Sequence, residues 1–122
     1  VVKITVKDKL VATGVVIHEN GWILASHHVL DCYKKTGIKA IFMDGTEAII
    51  NVYKNDPKND IALLRTEEVP KSPLVPARFS SKPCVFPGQF LMSIAYTADV
   101  DHPNTVLGLA TNKLFAGERR VV

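Results

Sequence analysis

The chain has 122 residues, 47% of them hydrophobic and 22% charged, with a formal net charge of +3. That length is one domain's worth, and the apolar content is enough to bury a core. The basic residues are spread along the chain, the longest clusters being Lys34–Lys35 and Arg119–Arg120, so no nucleic-acid face is marked and the charge reads as a solvated surface.

No apolar run reaches the roughly 20 residues of a membrane span, and no charged leader precedes a short apolar region at Val1. The expectation is a globular, soluble domain that is mature, trimmed or internal, and whose compartment is not written in the sequence. Taken in chain order, "VKITVK" alternates apolar and polar residues with period two, the pattern of a half-buried strand. "VATGVVIH" and "WILAS" are joined through Asn20–Gly21, a pair that predicts a type I′ hairpin. "IKAIFM" and "EAIINVY" flank Asp44–Gly45 and predict a second hairpin, and "DIALLR" follows the turn-rich "KNDPKN".

Five prolines punctuate "EVPKSPLVPARFSSKPCVFPG", which excludes a helix interior or a central strand and leaves a connection that hugs the surface. Two further strands are expected at "QFLMSIAY" and "TVLGLAT". No segment sustains a 3.6-residue apolar period, so the chain reads as all-β. A small barrel follows because closure removes exposed strand edges.

Two polar features stand out against this apolar pattern. "NGWILASHHVLD" places His27 and His28 at the end of a strand, and Asp60 opens "DIALLR", its carboxylate drawn towards the interior by four following apolar residues. A carboxylate in that position needs a partner, and an imidazole suits it. Asp can accept a hydrogen bond from Nδ1–H and fix the tautomer, so that Nε2 takes a proton from a nucleophile. Composition alone does not establish the pairing.

Four ordered blocks supply the missing context. "ATGVVIHENGWILASHHVLD" resembles the opening of trypsin-like serine proteases of the Do-like (HtrA-type) branch, where a Gly-(Ser/Thr)-Gly-(Val/Phe)-Ile strand leads by a hairpin to Ile-Leu-Thr-Asn-x-His-Val-Val. "MDGTEAIINVYKNDPKNDIALLR" is similar to that branch's Asp-Gly-Arg, strand and Asp-x-x-x-Asp-Ile-Ala-Leu-Leu-Lys; "FPGQFLMSIAY" and "TVLGLAT" resemble its Val-Gly-Asp-x-Val-x-Ala-Ile-Gly and Thr-Val-Thr-x-Gly-Ile-Val strands. The resemblance runs from about Val11 to Asn112. It implies an all-β, trypsin-like antiparallel β-barrel, the first of the family's two. It places His28 on the general-base histidine and Asp60 on the orienting aspartate. His27 falls just before the catalytic position, while His18 and His102 lie in polar turn contexts and are read as non-catalytic.

The departures matter as much. A serine protease needs a nucleophile in a Gly-x-Ser-Gly-like turn that exposes Oγ and aims backbone N–H groups at the oxyanion. No serine or cysteine of this sequence has that setting. In the family the nucleophile, oxyanion hole and specificity pocket belong to a second barrel, so residues 1–104 are expected to form the first barrel and residues 105–122 to open the second. "SIAYTADVDHPNT" also lacks the glycine pair of the family's Gly-Asn-Pro-Phe-Gly loop.

The function so implied is the N-terminal half of a serine endopeptidase, inactive alone. The rival class is a non-catalytic protein-binding module derived from a protease barrel. The implied partners are a polypeptide substrate in the intact enzyme and the missing C-terminal barrel, with self-association through the unpartnered Thr105–Asn112 strand. No nucleic acid and no membrane span enter. No cofactor is implied. Were "HHVLDC" helical, His27 with Asp31, or His28 with Cys32, would stand one turn apart, but no second cluster completes a tetrahedral metal set, and none is expected. Cys32 and Cys84 fit no metal motif; they are either free buried thiols or, if the fold brings their Cα atoms within about 7 Å, a disulfide.

Overall fold

The computed structural model describes residues 1–28, 37–71, 74–81, 85–97, 102–111, 114–116 and 119–121. Cys32 and Cys84 lie outside the described residues, as does Asp31, and with them the cysteine pairing and the i, i+4 metal spacing.

Six strands close into one antiparallel barrel: β1 (Val2–Val6), β2 (Lys9–His18), β3 (Trp22–Ser26), β4 (Ile38–Ile41), β5 (Glu47–Asp56) and β6 (Ile61–Thr66). Their order around the barrel is β1-β2-β3-β6-β5-β4, with β4 returning to pair with β1. The all-β barrel expected from the succession of short strands is therefore present. Each strand's inward positions supply the core: Val2, Ile4 and Val6 from β1, Val16 from β2, Ile23 from β3, Ile38 and Ala40 from β4, Ile50 from β5, Ala62 and Leu64 from β6. Each large aliphatic side chain taken out of water in this way contributes roughly 1.5–3 kcal/mol. Gly14 is required where β1, β2 and β3 crowd together, because a Cβ there would stand 2.7 Å from Ile23 Cγ2 and 3.0 Å from Val2 Cγ2.

The turns differ from the sequence expectation in an instructive way. The Asn20–Gly21 pair predicts a type I′ turn, which needs positive φ at both central residues. The Gly21 N–H instead donates to the His18 carbonyl at 3.2 Å, and in this turn only Gly21 has positive φ, at 98°. This is a type I turn followed by a left-handed glycine, with the pairing slipping between Val16 and His18. The cause is tertiary: Gly21 lies so close to Thr66 that any Cβ would overlap its hydroxyl, and the Thr66 N–H donates to the Gly21 carbonyl at 3.0 Å. The I′ geometry appears where no glycine announces it. Lys7 and Asp8 have φ of 51° and 64° between the paired residues Val6 and Lys9.

Beyond Thr66 the chain crosses the barrel surface without strands among its described residues until Phe90. The Ala77 N–H reaches the Val16 carbonyl at 2.8 Å, in keeping with a surface-hugging connection. Phe86–Gln89 is a turn with Pro87 and then Gly88 at φ 87°, the type II arrangement. It delivers β7 (Phe90–Ala95), which pairs along its whole length with β8 (Asn104–Leu109) in a separate two-stranded sheet. The expectation that Thr105–Asn112 has no partner within the chain is thus corrected, and the barrel closes without β7. Tyr96 joins the two parts: it is buried, its backbone N–H donates to Thr13 Oγ1 at 2.8 Å, and its hydroxyl donates to Met43 Sδ at 3.2 Å. Burial raises the Tyr96 phenol above its ordinary pKa. The last strands, β9 (Leu114–Ala116) and β10 (Arg119–Val121), pair with each other in a two-stranded sheet.

Candidate active site

Asp60 is placed by a capped single turn in "NDPKND". Asp56 Oδ1 accepts the Asn59 N–H at 3.2 Å and its Oδ2 accepts the Asn59 amide at 2.8 Å, with Pro57 at the first position of the turn. Those contacts hold the Asp56 carboxyl below its usual range, the Asn59 side chain contributing most. The turn ends at Asp60, whose φ of 57° lies in the left-handed region and whose N–H donates to the Pro57 carbonyl at 3.3 Å. Aspartate tolerates that region better than most residues, and such strain concentrates at sites where the surroundings over-determine the backbone. β6 starts at the next residue.

The other half of the site continues β3. Ser26 pairs with Ile61, and the His27 N–H donates to the Asp60 carbonyl at 3.3 Å, extending the β3–β6 ladder by one step. His27 and His28 then take helical backbone geometry, which swings His28 over Asp60. The result is a double contact: the His28 backbone N–H donates to Asp60 Oδ1 at 2.7 Å, and His28 Nδ1 lies 2.6 Å from Asp60 Oδ2. The expected meeting of these residues, 32 positions apart, is present. Spacing could have suggested the ring contact but not the backbone one, which depends on the turn after β3.

The electrostatics follow from the geometry. The His28 backbone N–H, and next its ring, hold the Asp60 carboxyl below the ordinary carboxylate pKa; the nearby charge of both histidines adds to this, and partial desolvation opposes it. An ionised Oδ2 facing Nδ1 favours the tautomer with the proton on Nδ1, which makes Nε2 the basic nitrogen. The His28 side chain is 71% exposed and that of Asp60 34%, so the pair sits at the barrel rim with the carboxylate the more sheltered member. His18 has another task, its Nδ1 accepting the Asn20 N–H at 3.1 Å within the β2–β3 turn. Among the described residues no group of three or more His, Cys, Asp and Glu could hold a metal ion.

A closed antiparallel barrel with a carboxylate-oriented histidine at its rim defines a class in which proton transfer at that imidazole is the available chemistry. Residues 12–119 match the trypsin-like peptidase domain family, and the chain belongs to it. No curated protein matches the chain. Among solved structures the chain is similar to the protease domain of MamO from Magnetospirillum magneticum in its apo form, with 21% identity and a TM-score of 0.74 over 98% of this chain. It spans 66% of that domain's length. At that identity the likeness speaks to the fold.

Proposed function

We propose that this chain is the first barrel, with the opening of the second, of a serine endopeptidase of the Do-like (HtrA-type) branch. In this reading His28 is general base and then general acid, and Asp60 its orienting residue. The nucleophilic serine and oxyanion hole come from a second barrel, of which residues 105–122 are the start. Because β8 pairs with β7, this reading also counts Phe90–Ala95 with that opening. The observation that carries the proposal is the double contact between His28 and Asp60, through both carboxylate oxygens. The length ratio to the MamO domain also supports it, since about a third of that domain has no counterpart here.

The experiment is active-site labelling. The chain as given should leave a fluorophosphonate unreacted, because it orients a base with no nucleophile to serve. Extended with a barrel bearing a Gly-x-Ser-Gly turn, it should label on that serine and hydrolyse peptide bonds, and His28→Ala in that longer chain should lower kcat by at least about 10³-fold. Stoichiometric labelling of a serine within the present 122 residues overturns the proposal. An extended chain that binds peptides and never labels establishes the binding module instead.

A further inference from the structure

A concavity lies at the opposite end of β6 from Asp60, about 20 Å away at ~3.3 Å per residue. It has a volume of about 490 Å³, within the range of ligand-binding clefts, and two facing parts of the chain wall it, 42–49 on one side and 67–71 with Leu74 on the other. Glu67 fastens the walls together through its N–H, which donates to the Ile49 carbonyl at 2.8 Å. Phe42 and Leu74, both packed against the barrel core, form its apolar floor. Ile49 and Val69 stand at its sides 54% and 62% exposed, apolar surface that a ligand would cover.

The charge of this cleft runs against that of the molecule. The whole chain carries +3, whereas the cleft is lined by Asp44, Glu47, Glu67 and Glu68 against Lys71 alone, 1 − 4 = −3. Asp44 is locked in place as an ion, its Oδ1 accepting both the backbone N–H and the hydroxyl of Thr46 at 2.9 and 2.7 Å, contacts that hold its carboxyl below the usual range. Among the described residues no group of three or more such side chains could hold a metal ion. The carboxylates are distributed along the walls.

We propose that this cleft docks an extended cationic peptide, one with aliphatic side chains flanked by lysine or arginine. The aliphatic groups would cover Phe42, Ile49 and Val69, and the cations would lie along the glutamates. The inference goes beyond the catalytic reading and does not rest on His28 or Asp60.

The test is fluorescence anisotropy with a labelled, end-capped peptide Lys-Leu-Val-Arg-Leu-Lys, at about 50 and 300 mM salt. Saturable binding that weakens with salt is expected. The exposed triple variant Glu47→Gln/Glu67→Gln/Glu68→Gln should weaken it about tenfold while keeping the parent's circular dichroism, and Val69→Ser should weaken it independently. His28→Ala should leave it unchanged. Amide NMR shifts should move at 44–49 and 67–71. The proposal is overturned by absence of saturable binding, by equal binding of the peptide with glutamate at its three basic positions, by equal binding of spermidine, or by shifts confined to β7 and β8.

Discussion

The barrel and the β7–β8 hairpin are built from the same kind of residue and come to opposite ends. In the barrel, β-branched and aliphatic side chains face inward and each of the six strands is paired on both sides. In the hairpin, Phe90, Met92 and Ile94 share one face with Leu107 and Leu109 across the pairing, and all five are exposed, Phe90 at 71% and Met92 at 64%. None of its twelve strand residues is charged and none is proline. Natural edge strands are usually blunted by lysine, proline or a bulge, and these are not. Apolar β-sequence therefore becomes core only where the topology closes around it; elsewhere it is surface that a further layer would cover.

The largest effect that separates the two regions is a cavity. Leu64, fully buried among the strands, should cost about 2–5 kcal/mol when changed to alanine, whereas Leu107→Ala in the hairpin should stay within about 0.5 kcal/mol. Urea unfolding of both variants measures the contrast, and equal losses would mean that the hairpin belongs to the cooperative unit.

A smaller effect, of opposite sign, concerns the barrel's own turn. Lys7 and Asp8 both occupy the left-handed region, a cost of roughly 1–2 kcal/mol per ordinary residue, less for aspartate. Lys7→Asn/Asp8→Gly supplies the residues that a type I′ turn favours and should raise barrel stability by about 1 kcal/mol. Thermal unfolding reads it directly.

The hairpin responds to a different measurement. Phe90→Lys/Met92→Lys/Leu107→Lys places three charges on the apolar face and should change barrel stability by under about 0.5 kcal/mol. In sedimentation across concentration the parent chain is expected to self-associate and the variant to remain monomeric. A parent that is monomeric throughout removes the inference that this face seeks a cover.

The same comparison shows which features could be read before the fold was known. Period-two alternation located β1, short apolar runs between turn residues located the other five barrel strands, and His28 and Asp60 stood out as polar residues beside apolar runs. Local pairs misled where a tertiary contact overruled them. Glu19 and Asn20 form a type I turn with Gly21 after it because Thr66 closes over Gly21, and the true I′ turn at Lys7–Asp8 has no glycine to signal it. The pairing of β7 with β8 was hidden for a similar reason, since an uncharged apolar strand matches many partners equally well. The acidic cleft joins stretches about 20 residues apart whose meeting depends on the β5–β6 register.

The smallest expected effect is the pH response, and it too belongs to the barrel side, because the hairpin strands contain no ionisable side chain. Asp44, Asp56 and Asp60 all have lowered carboxyl pKa values. A carboxyl whose folded value lies below its unfolded value near 3.9 stabilises the fold above that value, and the contribution is lost as pH falls through the folded value. Stability should therefore decline below about pH 4. Asp60→Asn removes one of the three contributions and should flatten the decline slightly. Asparagine also tolerates positive φ, so the turn that ends at this residue is kept while the charge is removed. Its carbonyl oxygen can still accept the His28 backbone N–H, but the side-chain NH₂ then faces Nδ1 as a donor. The favoured tautomer should invert and put the proton on Nε2. Nitrogen NMR of the His28 ring reads that inversion separately from stability. An unchanged tautomer would mean that Asp60 does not orient this imidazole, whatever the distance between them.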